Sequence, residues 1–239
     1  MLPLRDANPR HGIPVVTWVL VAINVAVFVY QLSLGDGLAG ARFLLEYAFI
    51  PARFAAEPAA AAPTLVTSAF MHGSLLHLAS NMVFLLVFGD NVEERMGKVG
   101  YLVFYLLGAA VATGAHGLLG GIPTAPLVGA SGAVSAVLGA YIVLFPHQRV
   151  MTFIPPLIIP WIAVSLFMRV PRFYVPWLPA WLFIGYWALL QFWEASAGIT
   201  AGQPADGGAV AWWAHVGGFA FGLVTVRLFA RAKRANRVE

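Results

Sequence analysis

The sequence predicts an all-α membrane protein, a bundle of six transmembrane helices with both termini on the cytoplasmic side, and three observations predict it. Of 239 residues, 60% are hydrophobic and 10% charged, with a mean hydropathy of +0.81, whereas a soluble domain is roughly a quarter charged. Apolar runs such as Val15 to Leu34, Tyr101 to Leu119 and Trp181 to Trp193 approach or reach the length that crosses a hydrocarbon core. The basic residues collect at the ends of those runs: Arg5 and Arg10, Arg95 and Lys98, Arg149, and Arg231, Lys233, Arg234 and Arg237 fall on one side, which the positive-inside rule makes cytoplasmic.

The net charge of +4 therefore reads as a topology signal, and no nucleic-acid partner is expected. The absence of cysteine excludes disulfides, thiolate catalysis and cysteine-based metal sites. Residues 1–14 read as a cytoplasmic segment ahead of an uncleaved first span, because no small-residue cleavage pattern closes a short apolar core. Helices are expected near 15–34, 75–89, 100–119, 132–145, 178–195 and 212–230, within one domain over 15–230. The loop 35–74 carries Pro51, Pro58 and Pro63 and is read as external and without a regular span. Its Arg42 and Arg53 run against the charge rule, which long loops obey weakly. Segment 150–172 is apolar but holds Pro155, Pro156 and Pro160, so it is read as interfacial or re-entrant. A crossing there would put Ser131 and His215 at opposite faces. Residues 231–239 form a basic cytoplasmic tail that also meets anionic lipid.

The chemistry centres on Gly129-Ala130-Ser131-Gly132, where a glycine-rich loop enters an apolar helix. From Gly132 to Phe145 there are 14 residues, ~21 Å of helix within a ~30 Å core, so Ser131 lies below the external surface. The same reckoning from His215 to Phe229 gives ~22 Å and a matching depth. Small residues at four-residue spacing, Ser131, Ser135 and Gly139 and the adjacent Gly132, Ala136 and Ala140 in one helix and Ala214, Gly218 and Gly222 in the other, let the two backbones approach closely. A serine hydroxyl needs a base to take its proton, and with no carboxylate or lysine in these helices His215 is the candidate, in a dyad instead of a triad. In the second helix, His77 and Asn81 are four apart and share a face. Their side-chain N–H groups, with the backbone N–H of Ser131, suit an oxyanion hole. His72 reads equally as an oxyanion-side or a loop residue.

These motifs resemble those of the bacterial rhomboid proteases over nearly the whole chain after residue 64. The matching residues are His72, His77 and Asn81, the Val92-Glu93-Glu94-Arg95-Met96-Gly97 turn, Gly129-Ala130-Ser131-Gly132, and Ala214-His215-Val216-Gly217-Gly218 followed by Gly222. The resemblance implies a six-helix bundle around a cavity open to the outside, in the cell membrane. It implies a Ser131–His215 dyad, an oxyanion hole of His77 and Asn81, and site-shaping roles for Gly129, Gly132, His72 and Gly218. Implied substrates are transmembrane proteins cut in or near the membrane segment, with no metal or cofactor. Pro63-Thr64 stands where many members carry Trp-Arg, and Ser135 where many carry an aromatic residue that packs on the catalytic imidazole, so some other group must position His215. Two other classes are weighed against this reading. A proteolytically silent relative acting as chaperone or adaptor would lack the nucleophile or base, and a transporter would need a coupling-ion carboxylate within a helix or an inverted repeat.

Overall fold

In hydrocarbon, backbone polar groups must be satisfied within their own segment or in a closed sheet, which drives long apolar runs into helices. The computed structural model describes residues 1–120, 124–154, 175–200 and 211–231. Its elements are β1 (Leu2–Asp6), α1 (Val15–Leu34), the shorter α2 (Leu38–Tyr47), α3 (Pro51–Ala56), α4 (Pro58–Ala61) and α5 (Thr64–Thr67), then α6 (Leu75–Met96), α7 (Lys98–Leu119) and α8 (Ser131–Leu144). There follow β2 (Arg149–Phe153), β3 (Trp177–Pro179), α9 (Ala180–Thr200) and α10 (Trp212–Phe229). The fold is mainly helical, as expected.

Helices α1, α6 and α7 are long and apolar enough to cross a bilayer. On α7, Leu102, Val103, Leu107 and Val111 are exposed, and so are Val19, Ile23 and Val29 on α1 and Leu189, Phe192 and Trp193 on α9. Apolar surface this continuous is unfavourable in water and natural against acyl chains. The chain is a multi-pass membrane protein. Helix α8 is different: every residue from Gly132 to Tyr141 is buried, enclosed by α6, α7, α9 and α10. A helix apolar all round belongs in the middle, and at 14 residues, about 21 Å, it is too short to cross alone.

The α8–α10 seam is backbone against backbone. A Cβ on Gly218 would collide with the Gly132 carbonyl oxygen, and one on Gly222 would stand 2.9 Å from the Ala136 carbonyl carbon. Only glycine permits that approach, which is how small-residue stripes let membrane helices meet.

The second helix runs seven residues past the expected end at 89, through Met96. Val92 to Met96, expected in a turn, are helical, and the chain turns at Gly97 with φ +76. The charged residues of α6 act from the helix itself. The buried Glu93 carboxylate accepts from Val16 N at 3.0 Å, Thr17 N at 2.8 Å and Thr17 Oγ1 at 2.9 Å, capping α1, which has no side-chain cap of its own. Asp90 pairs with Arg10 at 3.7 Å. In the long loop, Arg53 donates to the Ala48 carbonyl at 2.8 Å and to the Leu45 carbonyl. That guanidinium closes the C-terminus of α2.

A small sheet, absent from the all-helical expectation, joins distant parts of the chain. Its order is β1-β2-β3, both pairs antiparallel, so residues 2–6 of the N-terminal segment are a strand. Residues 150–153, expected to begin an interfacial or re-entrant segment, are also a strand, in register with Asp6↔Val150 and Leu2↔Phe153. A partner strand from the N-terminus satisfies their backbone, which that reading did not consider. The expected prolines of that segment and the tail beyond residue 231 lie outside the described residues. Asp6 Oδ2 accepts from Tyr141 Oη of α8 at 2.6 Å and from Asn91 Nδ2 of α6 at 3.1 Å. Burial, partly offset by the Tyr141 hydrogen bond, raises the Asp6 carboxyl to about 6. The sheet and the C-terminal ends of α6 and α8 thus occupy one end of the bundle, and Arg231 N bonded to Arg95 O at 2.8 Å brings the end of α10 there too.

Candidate active site

The N-termini of α6, α8 and α10 consequently gather at the opposite end. Ser74 caps α6 by accepting from His77 N at 3.1 Å, which fixes the first turn and sends His77 and Asn81 down one face. Before α8, Phe49 and Leu127 exchange backbone bonds of 3.2 and 2.8 Å, and Gly129 N donates to Ser68 O at 2.9 Å. The loop therefore enters α8 on a fixed path, with Gly129 at φ +129, a conformation natural to glycine. A side chain there would meet His77, whose Nε2 would be 2.7 Å from its Cβ, with Ser131 Oγ at 3.7 Å. His77 and the serine thus flank one point, over the loop that presents the hydroxyl.

Ser131 opens α8 and is half-buried. Backbone N–H groups of a helix's first turn lack intrahelical partners and point outward. A small cavity beside it is lined by Thr113, Leu127, Gly129, Ser131, Gly132 and Ala214, among others. A larger, apolar cavity between α1, α2 and residues 67–71 contains none of these groups. His215 lies in the first turn of α10 and is 7% exposed. Its neighbour Ala214 packs on Gly132, both its Cβ and its carbonyl oxygen 3.7 Å from where a Gly132 Cβ would be. Among the described residues no hydrogen bond joins the Ser131 hydroxyl to His215, although their neighbours Gly132 and Ala214 pack together.

Asn81 is buried, and its Nδ2 lies 3.1 Å from His72 Nε2. His72 is held to α1 by Gln31, whose Oε1 accepts from His72 N at 3.0 Å and whose Nε2 donates to His72 O at 3.4 Å. Burial, with the neighbouring His77 second, pushes the His72 imidazole down to about 4, so it is neutral at physiological pH. Which of the two donates across this contact is set by the imidazole's tautomer. His72 thus sits against Asn81, beside the N-terminal end of α6.

Ser135 Oγ donates to the Ser131 carbonyl at 2.6 Å and so faces its own helix. The imidazole of His215 is held from α9 instead, with Nδ1 2.5 Å from Gln191 Oε1. The rings of Trp187 and Trp212 each lie 5.9 Å from it. Sequence reasoning missed Gln191, which belongs to no motif; its one signal is a polar side chain within the apolar run from Trp181 to Trp193. Among the described residues no cluster of three or more His, Asp or Glu could hold a metal ion.

Fold and site define a class: a multi-pass membrane protein that collects a serine, histidines and an asparagine at one end of a helical bundle. The sequence model of the Rhomboid domain family matches residues 60–232, and the chain belongs to that family. It is 31% identical over 145 residues to Rhomboid protein 1, mitochondrial, of Saccharomyces cerevisiae, covering 58% of this chain and 39% of that protein. It is 31% identical over 126 residues to Presenilin-associated rhomboid-like protein A, mitochondrial, of Danio rerio, covering 49% and 30%. Rhomboid-like protease 3 of Toxoplasma gondii is 40% identical over 75 residues, covering 31% and 28%. The chain thus spans well under half the length of each of these relatives.

Proposed function

We propose that the protein is an intramembrane serine endopeptidase that cleaves transmembrane proteins in or near their membrane segment through a Ser131–His215 dyad. The observation that supports the reading is the glycine seam between α8 and α10, which sets Gly132, next to Ser131, against Ala214, next to His215. Ser131 Oγ attacks the scissile carbonyl carbon while His215 takes its proton. His77, Asn81 and the Ser131 N–H stabilise the oxyanion. As the C–N bond breaks, His215 returns the proton to the leaving amine. Water then attacks the acyl-enzyme with His215 again as base, releasing the acid and restoring the hydroxyl. Gly129, Gly132 and Gly218 shape the site by allowing its close contacts.

By the charge rule, the site opens to the external side of the cell membrane, reached by water from there and by substrate from the lipid. A fluorophosphonate, which esterifies activated serine hydroxyls, tests the dyad without a known substrate. Labelling mapped to Ser131 and lost in His215→Ala supports it. An unlabelled, folded wild type that captures membrane proteins would favour the silent chaperone or adaptor.

A further inference from the structure

A base must present a lone pair to its nucleophile, and an imidazole has two nitrogens of which only one carries the proton in the neutral ring. Free histidine interconverts between the two forms. We propose that Gln191 is the positioning residue of this site: it selects the His215 form protonated on Nδ1, leaving the Nε2 lone pair for Ser131. The inference rests on the dyad reading for its catalytic consequence and on geometry alone for the choice of form.

Two contacts fix the Gln191 amide. Its Nε2 donates to the Trp187 carbonyl at 3.3 Å, and its Oε1 meets His215 Nδ1 at 2.5 Å. Turning the amide over would set its oxygen against the Trp187 carbonyl oxygen, two acceptors with no proton between them. With Oε1 toward the imidazole, the bond forms only if Nδ1 carries the hydrogen. Gln191 is 8% exposed, so water is poorly placed to substitute. Trp187, one turn earlier on α9, lies tilted at 36° to the imidazole, and Trp212 stands nearly edge-on at 88°; together they limit ring rotation.

This answers the gap left by Ser135. Ring orientation comes from a hydrogen bond and one indole of α9 and from the Trp212 indole of α10, instead of from an aromatic residue on α8. A triad carboxylate would also stabilise the imidazolium that forms on attack. The neutral Gln191 carbonyl orients the ring and contributes a dipole only. Among the described residues, the titratable groups acting on His215 are His77 of α6 and His116 of α7.

The test combines one spectroscopic and two kinetic readouts. In protein labelled with ¹⁵N-histidine, the His215 signals, assigned by difference from His215→Ala, should report protonated Nδ1 and bare Nε2 at pH 8; the reverse pattern would overturn the proposal even if the protein had no protease activity. Gln191→Leu should lower kcat by at least 30-fold, with KM within about threefold and Tm within a few degrees, because a misprotonated base fails only in the chemical step. Gln191→Glu, which keeps the acceptor toward Nδ1 and adds charge but loses the bond to the Trp187 carbonyl, should recover part of the activity lost in Gln191→Leu and move the acidic limb of the kcat profile to higher pH. A merely structural polar contact between α9 and α10 would instead lower Tm in both variants and leave that limb in place, and this result too would overturn the proposal. If Gln191→Leu unfolds, the wild-type spectrum and the Gln191→Glu profile still decide. Failure of the dyad reading is recognised separately, by fluorophosphonate labelling that does not depend on Ser131.

Discussion

Gly218→Ala adds one methyl group at the tightest part of the bundle, and its effect can be worked from the seam. The new Cβ would overlap the Gly132 carbonyl oxygen and lie 3.0 Å from the Gly132 carbonyl carbon and 3.3 Å from Ala112 Cβ, where ordinary contacts run 3.4–4 Å. Backbone on both sides cannot rotate away, so α10 must shift off α8 by ~1 Å, a misplacement that can cost about 10²-fold in rate. Overpacking of this kind destabilises by about 1–3 kcal/mol. Gly132 adjoins Ser131, and Gly218 is one turn from His215, so the shift falls on the proposed dyad. The assay is fluorophosphonate labelling rate and substrate cleavage beside thermal unfolding, with Gly114→Ala and Gly185→Ala as controls, since nothing lies within 4 Å of a Cβ at either. A loss of activity near 100-fold in Gly218→Ala, with both controls near wild type, is expected. Wild-type activity in Gly218→Ala, or equal damage in the controls, would refute the reasoning.

Asn81→Ala should lower kcat by about 10²–10³ with little change in KM, as expected for loss of an oxyanion donor; steady-state cleavage kinetics would reveal any other pattern. Glu93→Ala removes three hydrogen bonds at the start of α1 and should destabilise by about 3 kcal/mol, read from denaturant unfolding, with Glu93→Gln milder because it keeps an acceptor. The Asp6 carboxyl, raised from 3.8 to about 6, contributes stability that is present below pH 4 and lost as pH rises through 6. The loss is on the order of 1 kcal/mol after allowance for solvent screening. Wild-type Tm should therefore fall between pH 5 and 7.5 relative to Asp6→Asn, which can still accept from Tyr141; parallel profiles would contradict this.

Much of the helical part was legible because lipid imposes a simple code. The run from Val15 to Leu34 is α1 to the residue, and the small-residue stripes of α8 and α10 do form a seam. The end of α6 was placed at 89 and Val92 to Gly97 in a turn, whereas the helix continues to Met96 and Glu93 and Asp90 act from it to hold α1 and Arg10. The sheet was illegible for another reason: Leu2–Asp6 and Arg149–Phe153 are short, and nothing local in either says that the other will pair with it. Of the residues at the N-terminal ends of α6, α8 and α10, Ser131, His215, His77 and Asn81 stand in motifs visible in the sequence. Gln191 does not: a lone amide in an apolar helix is usually interhelical glue and only the packing of α9 on α10 gives it a partner.

The most direct measurement is cleavage of a panel of single-span membrane proteins by the purified protein in liposomes, with wild type beside Ser131→Ala and His215→Ala at matched folding. The expected result is cleavage by wild type and none by either variant. Cleavage that persists in either variant would contradict the dyad, and a folded wild type that binds the panel and cuts nothing would contradict the protease reading itself.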